Sequence, residues 1–88
     1  MALTFAALLA GACEVDYGTR KAMAGQTVII GLGDGRNRTF LVPPNHKYIV
    51  RKFTSDVWIE DYTPPTSEVG QRRIYTVEGN FVRSIEIH

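Results

Sequence analysis

A series of six short apolar segments, separated by turn residues, constrains this chain more than any other feature. The segments are rich in β-branched and aromatic residues, which favour strands. Strands that start about ten residues apart are typical of antiparallel sandwiches and barrels. The sequence therefore predicts a mainly β fold, a small antiparallel β-sandwich or barrel of about six strands. The predicted strands are Thr27–Leu32, Arg38–Val42, Lys47–Thr54, Val57–Tyr62, Arg72–Val77 and Phe81–Ile87.

Turn residues fill the gaps between these segments. Asp34-Gly35 is a strong hairpin signal, because both residues tolerate positive φ. Pro43-Pro44-Asn45 and Ser55-Asp56 predict two further turns, and residues 63–70 form the longest loop, with two prolines. Glu78-Gly79-Asn80 separates the last two predicted strands, so we expect those strands to form a final hairpin.

Length and composition exclude several classes of protein. A chain of 88 residues is enough for one small domain. With 44% hydrophobic and 22% charged residues, it is neither disordered nor collagen-like. The single cysteine, Cys13, excludes an internal disulfide and is expected to be a small buried hydrophobe. A net charge of +1 does not by itself indicate a nucleic-acid partner.

Residues 1–15 are the most apolar stretch and carry no charge before Glu14. Three interpretations remain open: a secretory segment with a lipoprotein-like box at Leu9–Cys13, a buried helix, or an extended arm that crosses onto a neighbour. A secretory segment of this kind would make a lipid-anchored envelope protein. The absence of Lys or Arg before the apolar stretch argues against it. The run is shorter than the ~20 residues of a membrane helix, so we expect no membrane span.

The expected organisation is an apolar arm and linker over residues 1–26, followed by a β domain over residues 27–88. Asp16–Gln26 is mixed in character and punctuated by Gly18 and Gly25, which is typical of a linker. Helices that are apolar nearly all round are buried on every side. A partner subunit is the natural place to bury such an arm.

Several aromatic residues alternate with charged ones along the predicted strands. In the fourth strand Val57 and Ile59 share one face, and Trp58 lies on the other. Tyr, Trp and Arg are enriched at protein interfaces, although long Lys and Arg stems can also simply cover aromatic rings. Trp58 is either a core residue or an interface anchor. The candidate interface residues are Leu3, Phe5, Leu8, Leu9, Tyr48, Arg51 and Trp58.

A nucleic-acid-binding barrel is the alternative function, since basic and aromatic residues interleave. Its candidate residues are Arg51, Lys52, Arg72 and Arg73. No RNP-like motif supports it, and the acidic segment Thr54–Gly70, with a net charge of −4, would repel phosphates. The adjoining segment Arg20–Phe53 carries +6, so the two segments could pair between copies or across strands of one sheet.

The sequence offers no catalytic, cofactor or metal site. Gly31–Arg36 looks like a phosphate-binding loop, but the helix that such a loop needs does not follow it. His46 and His88 have no partners at metal-ligand spacing and are expected to be solvated. Glu60 and Asp61 are adjacent, so on a strand their side chains point to opposite faces. We therefore expect a non-enzymatic protein.

The proline-led turn and strand Val42–Val50, followed by the Val-aromatic-Ile strand Val57–Ile59, resemble small β-barrel and β-sandwich structural proteins of tailed-phage virions. The resemblance covers roughly residues 27–88 and assigns no functional residue. It implies a virion component that decorates or cements a capsid or joins head and tail. Its partners would be further copies of itself or larger capsid or tail proteins, and the alternative locations are the cytoplasm and the bacterial envelope.

Overall fold

The computed structural model describes residues 16–88, which form two antiparallel β-sheets. The strands are β1 (Asp16–Met23), β2 (Thr27–Leu32), β3 (Asn37–Leu41), β4 (Lys47–Phe53), β5 (Asp56–Tyr62), β6 (Arg72–Glu78) and β7 (Val82–Ile87), and a 3₁₀ turn covers Gly79–Phe81. One sheet has the strand order β1-β4-β5-β6 and the other β3-β2-β7. The predicted mainly β, antiparallel fold is confirmed.

The core lies between the two sheets. It is built from the inward-facing residues of strands whose side chains alternate between the inner and the outer face. Val57 and Ile59 on β5 and Val28 and Ile30 on β2 are fully buried. At one flank of the sandwich the rings of Phe40 and Tyr75 meet with their centroids 5.0 Å apart. The sheets are therefore joined by side-chain packing across their inner faces, as in other sandwiches.

Asp34-Gly35 forms the predicted hairpin turn between β2 and β3. Gly35 has φ +89°, a conformation that glycine adopts without steric cost. Its N–H donates to the carbonyl of Leu32 at 3.0 Å, and the Arg36 N–H donates to the Asp34 carboxylate at 3.0 Å. The chain leaves this hairpin through Pro43-Pro44-Asn45, which carries it from β3 in one sheet to β4 in the other.

The linker predicted over residues 16–26 is wrong, because most of it is strand β1. β1 pairs with β4 from Asp16 opposite Phe53 to Met23 opposite Lys47. Its sequence, DYGTRKAM, lacks the β-branched run that predicts a strand. Pairing with β4 and the complete burial of Ala22 stabilise it instead. The β domain therefore includes Asp16 and does not start at Thr27.

The predicted final hairpin is also wrong. β6 pairs with β5, whereas β7 pairs with β2 in the other sheet. The 3₁₀ turn between them carries the chain across the sandwich and is held by Gly79 N–H donating to Ser55 O at 2.8 Å. A register shift next to Leu32 places Val82, rather than Phe81, against the core. Phe81 is 38% exposed and does not share the inner face with Ile85.

Candidate binding surfaces

A hydrogen-bonded cluster centred on Glu60 lies on the face of the four-stranded sheet that points away from the core, here called the outer face. Since Val57 and Ile59 point inward, Trp58 and Glu60 point outward. Glu60 Oε2 accepts the indole N–H of Trp58 at 2.7 Å. Its Oε1 accepts from Arg51 Nε at 3.0 Å and from the Tyr62 hydroxyl at 2.9 Å. The carboxylate is thereby held by three donors.

Two opposing effects act on the pKa of Glu60. Partial burial raises the pKa, because it disfavours the charged form. The hydrogen bonds from Trp58, Arg51 and Tyr62 lower it and together outweigh burial, so the pKa of Glu60 lies below its ordinary value. The ionised carboxylate therefore stabilises the outer face, and its oxygens already have partners. This arrangement of donors suits a carboxylate that rigidifies the surface and does not suit a general base.

Trp58 lies on the outer face, so its interpretation as a core residue is wrong. Phe53 on β4 stacks on the indole, with ring centroids 4.2 Å apart and planes 27° apart. From β6, on the other side of β5, the guanidinium carbon of Arg73 lies 3.8 Å from the centroid of the indole ring. The indole is thus held between a ring and a cation, which is a favourable arrangement for both.

The structure divides the candidate residues between the two sides of this sheet. Arg51, Trp58 and Arg73 lie together on the outer face. Tyr48 and Lys52 alternate with Arg51 along β4, and Tyr48 packs against the core. Burial, followed by the nearby charge of Asp61, raises the pKa of Tyr48.

The basic residues proposed for nucleic acid therefore do not form one stripe. Arg72 pairs in register with Asp61, whereas Arg73 pairs with Glu60 on the opposite side. Leu3, Phe5, Leu8, Leu9 and Cys13 lie outside the described residues.

His46 is not the solvated histidine that the sequence predicts. Its Nδ1 lies 2.8 Å from Asp61 Oδ1 and 2.7 Å from Thr63 Oγ1. A catalytic triad needs the acid and the nucleophile on different ring nitrogens. Here both contact Nδ1, so the group anchors the loop after β5 and does not activate the Thr63 hydroxyl.

Glu60 and Asp61 point to opposite faces of the sheet, as predicted. Asp61 is 6% exposed and binds His46, while Glu60 binds residues of the outer face. His88, the other histidine, is exposed and lies 2.8 Å from Glu86. Within residues 16–88, no group of three or more His, Cys, Asp or Glu side chains could hold a metal ion.

An apolar surface that was not predicted from the sequence covers one end of the sandwich. The β1–β2 turn and the connection from β3 to β4 form it, and we call it the apolar end surface. It is a shallow concavity of about 640 Å³, and Leu41 within it is 65% exposed. The sequence did contain a signal for this surface. Side chains alternate along β3, so the inward position of Phe40 places the next side chain, Leu41, outward. The lining residues are Ala24, Gly25, Leu41, Val42, Pro43 and Pro44.

Comparison with known proteins assigns no relative to this chain. Its sequence matches no protein-family model and no curated protein, and its structure matches no solved structure. In the part of the chain from residue 16 onward, no helix has the length and apolar character needed to span a membrane.

Proposed function

We propose that this chain is a non-enzymatic assembly protein, a component of a virion, in which each copy binds the next through residues 1–15. The apolar end surface carries the proposal. Within residues 16–88, none of its lining residues is charged, and Leu41 is its exposed large hydrophobic side chain. We assign this surface to a contact with another apolar segment, because a partner that covers exposed apolar side chains removes them from water. Residues 1–15 hold complementary apolar side chains, among them Leu3, Phe5, Leu8 and Leu9.

The position of the apolar end surface favours binding of residues 1–15 from a neighbouring copy over binding of the same residues from its own chain. Residues 1–15 join β1 at Asp16, whereas the apolar end surface lies beyond Met23, at the other end of the strand. Eight strand residues span about 25 Å. A chain folding back over that distance would use about eight of its own residues. Only Leu3 and Phe5 would then reach the surface, whereas a neighbour's segment can bring all four apolar side chains.

Such a contact is head-to-tail, because one copy supplies the segment and the next supplies the surface. Head-to-tail contacts generate closed rings or open filaments, depending on the rotation between copies. Each of the four side chains would contribute about 1.5–3 kcal/mol if fully buried. Ordering the backbone offsets about 1–2 kcal/mol per residue. The gain and the cost are of similar size, so a single contact is weak. A repetitive shell or ring, where many contacts act together, suits such a weak contact.

Two variants that each remove one half of the contact test this proposal. One lacks residues 2–12 and keeps the apolar end surface. The other, Leu41→Asp, keeps the segment and places a charge on the surface. Light scattering should show an assembly for the full chain that survives high salt, and the 9.8 kDa monomer for Leu41→Asp. Each variant alone should be monomeric, and an equimolar mixture should form a 1:1 complex.

Val69→Asp is the matched control, since Val69 is 74% exposed and lies in the loop between β5 and β6. It should assemble as the full chain does. Circular dichroism should show the same β signal for every variant. A mixture of the two variants that stays monomeric, or a full chain that is monomeric at high concentration, would refute the head-to-tail contact.

A further inference from the structure

The flank of the sandwich opposite Phe40 and Tyr75 contains a cleft between β1 and β4 on one side and β7 on the other. The cleft has a volume of about 250 Å³. Val50, Val82 and Ile85 supply its apolar side chains, and Val50 is 1% exposed. A volume of this size is large enough for a short chain of several non-hydrogen atoms.

Three cations surround this cleft: Arg20 on β1, Lys52 on β4 and Arg83 on β7. Arg20 is positioned by a long-range hydrogen bond, since its Nη1 donates to the carbonyl of Ile85 at 2.8 Å. That bond joins the two sheets and uses one of the five N–H groups of the guanidinium. The other N–H groups leave Arg20 the capacity to bind a ligand as well.

The charge around the cleft is one-sided. Within residues 18–88, no Asp or Glu lines it. Among the residues that the structure describes, Arg20, Lys52 and Arg83 form no ion pair, whereas Arg36 is paired with Asp34 at 2.7 Å. A cavity lined by charges of one sign concentrates the opposite charge. Water above an apolar floor also has few hydrogen-bond partners and is displaced favourably by an apolar group.

We infer that this cleft binds a small organic anion that carries a short apolar chain. The cations at the cleft receive the anionic group, and Val50, Val82 and Ile85 receive the chain. Hexanoate, with eight non-hydrogen atoms, is the simplest probe of matching size. The inference is independent of self-assembly, because the cleft and the apolar end surface share no residue.

Titration of the full ¹⁵N-labelled chain with sodium hexanoate at constant ionic strength tests the inference. Saturable chemical-shift changes are expected at the amides of residues 82–85, with a dissociation constant on the order of 1 mM for a ligand of this size. Hexanamide, which lacks the charge, and acetate, which lacks the chain, should each bind at least about tenfold more weakly, since both parts of the ligand contribute.

Lys52→Gln and Arg83→Gln should each weaken hexanoate binding by about two- to fivefold, as expected for one partly exposed charge pair. Both residues are exposed, so neither change removes core packing. Arg72→Gln is the control, because it makes the same change of charge on β6 and should bind hexanoate as the parent chain does. Equal binding of hexanoate and hexanamide, unchanged affinity in both cleft variants, or no saturable shift up to about 50 mM would each overturn the inference.

Discussion

Trp58 donates its indole N–H to Glu60, two residues further along β5, at 2.7 Å. The two side chains share the outer face because residues two apart on a strand point the same way. Glu60 also accepts a hydrogen bond from Arg51, and the guanidinium of Arg73 covers the indole ring. Three strands therefore contribute to one cluster, and its energetics can be separated by single substitutions.

Glu60→Gln should lower the free energy of unfolding at pH 7 by about 1–3 kcal/mol, because the donors lose a charged acceptor. The pKa of Glu60 is lower in the folded chain than in the unfolded chain. Its stabilisation is therefore complete above the unfolded pKa of about 4.3 and is lost as the pH falls through the folded pKa.

Urea unfolding between pH 7 and pH 3 measures this difference. The parent chain should lose more stability than Glu60→Gln as the pH falls below about 5. Glu78→Gln, at an exposed carboxyl at the end of β6, should follow the parent chain. Parallel pH profiles for the parent and Glu60→Gln would contradict the assigned role of Glu60.

Arg73→Ala should expose one face of Trp58, the only tryptophan of the chain. The expected results are a red-shifted emission maximum, stronger quenching by acrylamide, and a loss of about 0.5–1 kcal/mol in the free energy of unfolding. Arg72→Ala is the adjacent control and should leave the fluorescence unchanged. If acrylamide quenches both variants equally, Arg73 does not cover the indole in solution.

Phe40→Ala should cost about 2–3 kcal/mol of unfolding free energy, because Phe40 is half-buried and its ring packs on Tyr75 between the sheets. Leu41→Ala, one residue along β3, removes an exposed side chain and should cost less than about 0.5 kcal/mol. Thermal or urea unfolding followed by circular dichroism measures both. Similar costs for the two substitutions would show that the flank contact does not hold the sheets together.

The outer face shows how far the alternation of residues predicts a site. Alternation along β5 places Val57 and Ile59 on one face and Trp58 on the other, and the structure has the same arrangement. The same alternation places Glu60 and Asp61 on opposite faces of β5. The partners of Glu60 were not predictable, because Arg51 and Arg73 come from strands whose register depends on pairing in three dimensions.

By itself, the sequence determined the β class, the six strands after residue 26 within one residue at each end, and the hairpin at Asp34-Gly35. These features are local, because side-chain alternation and backbone preferences act over a few residues. Only the tertiary structure made β1 a strand and separated β6 from β7. Those outcomes depend on which edge is available for pairing and on burying Ala22 and Val82 between the sheets, and such long-range contacts leave no short-range pattern in the chain.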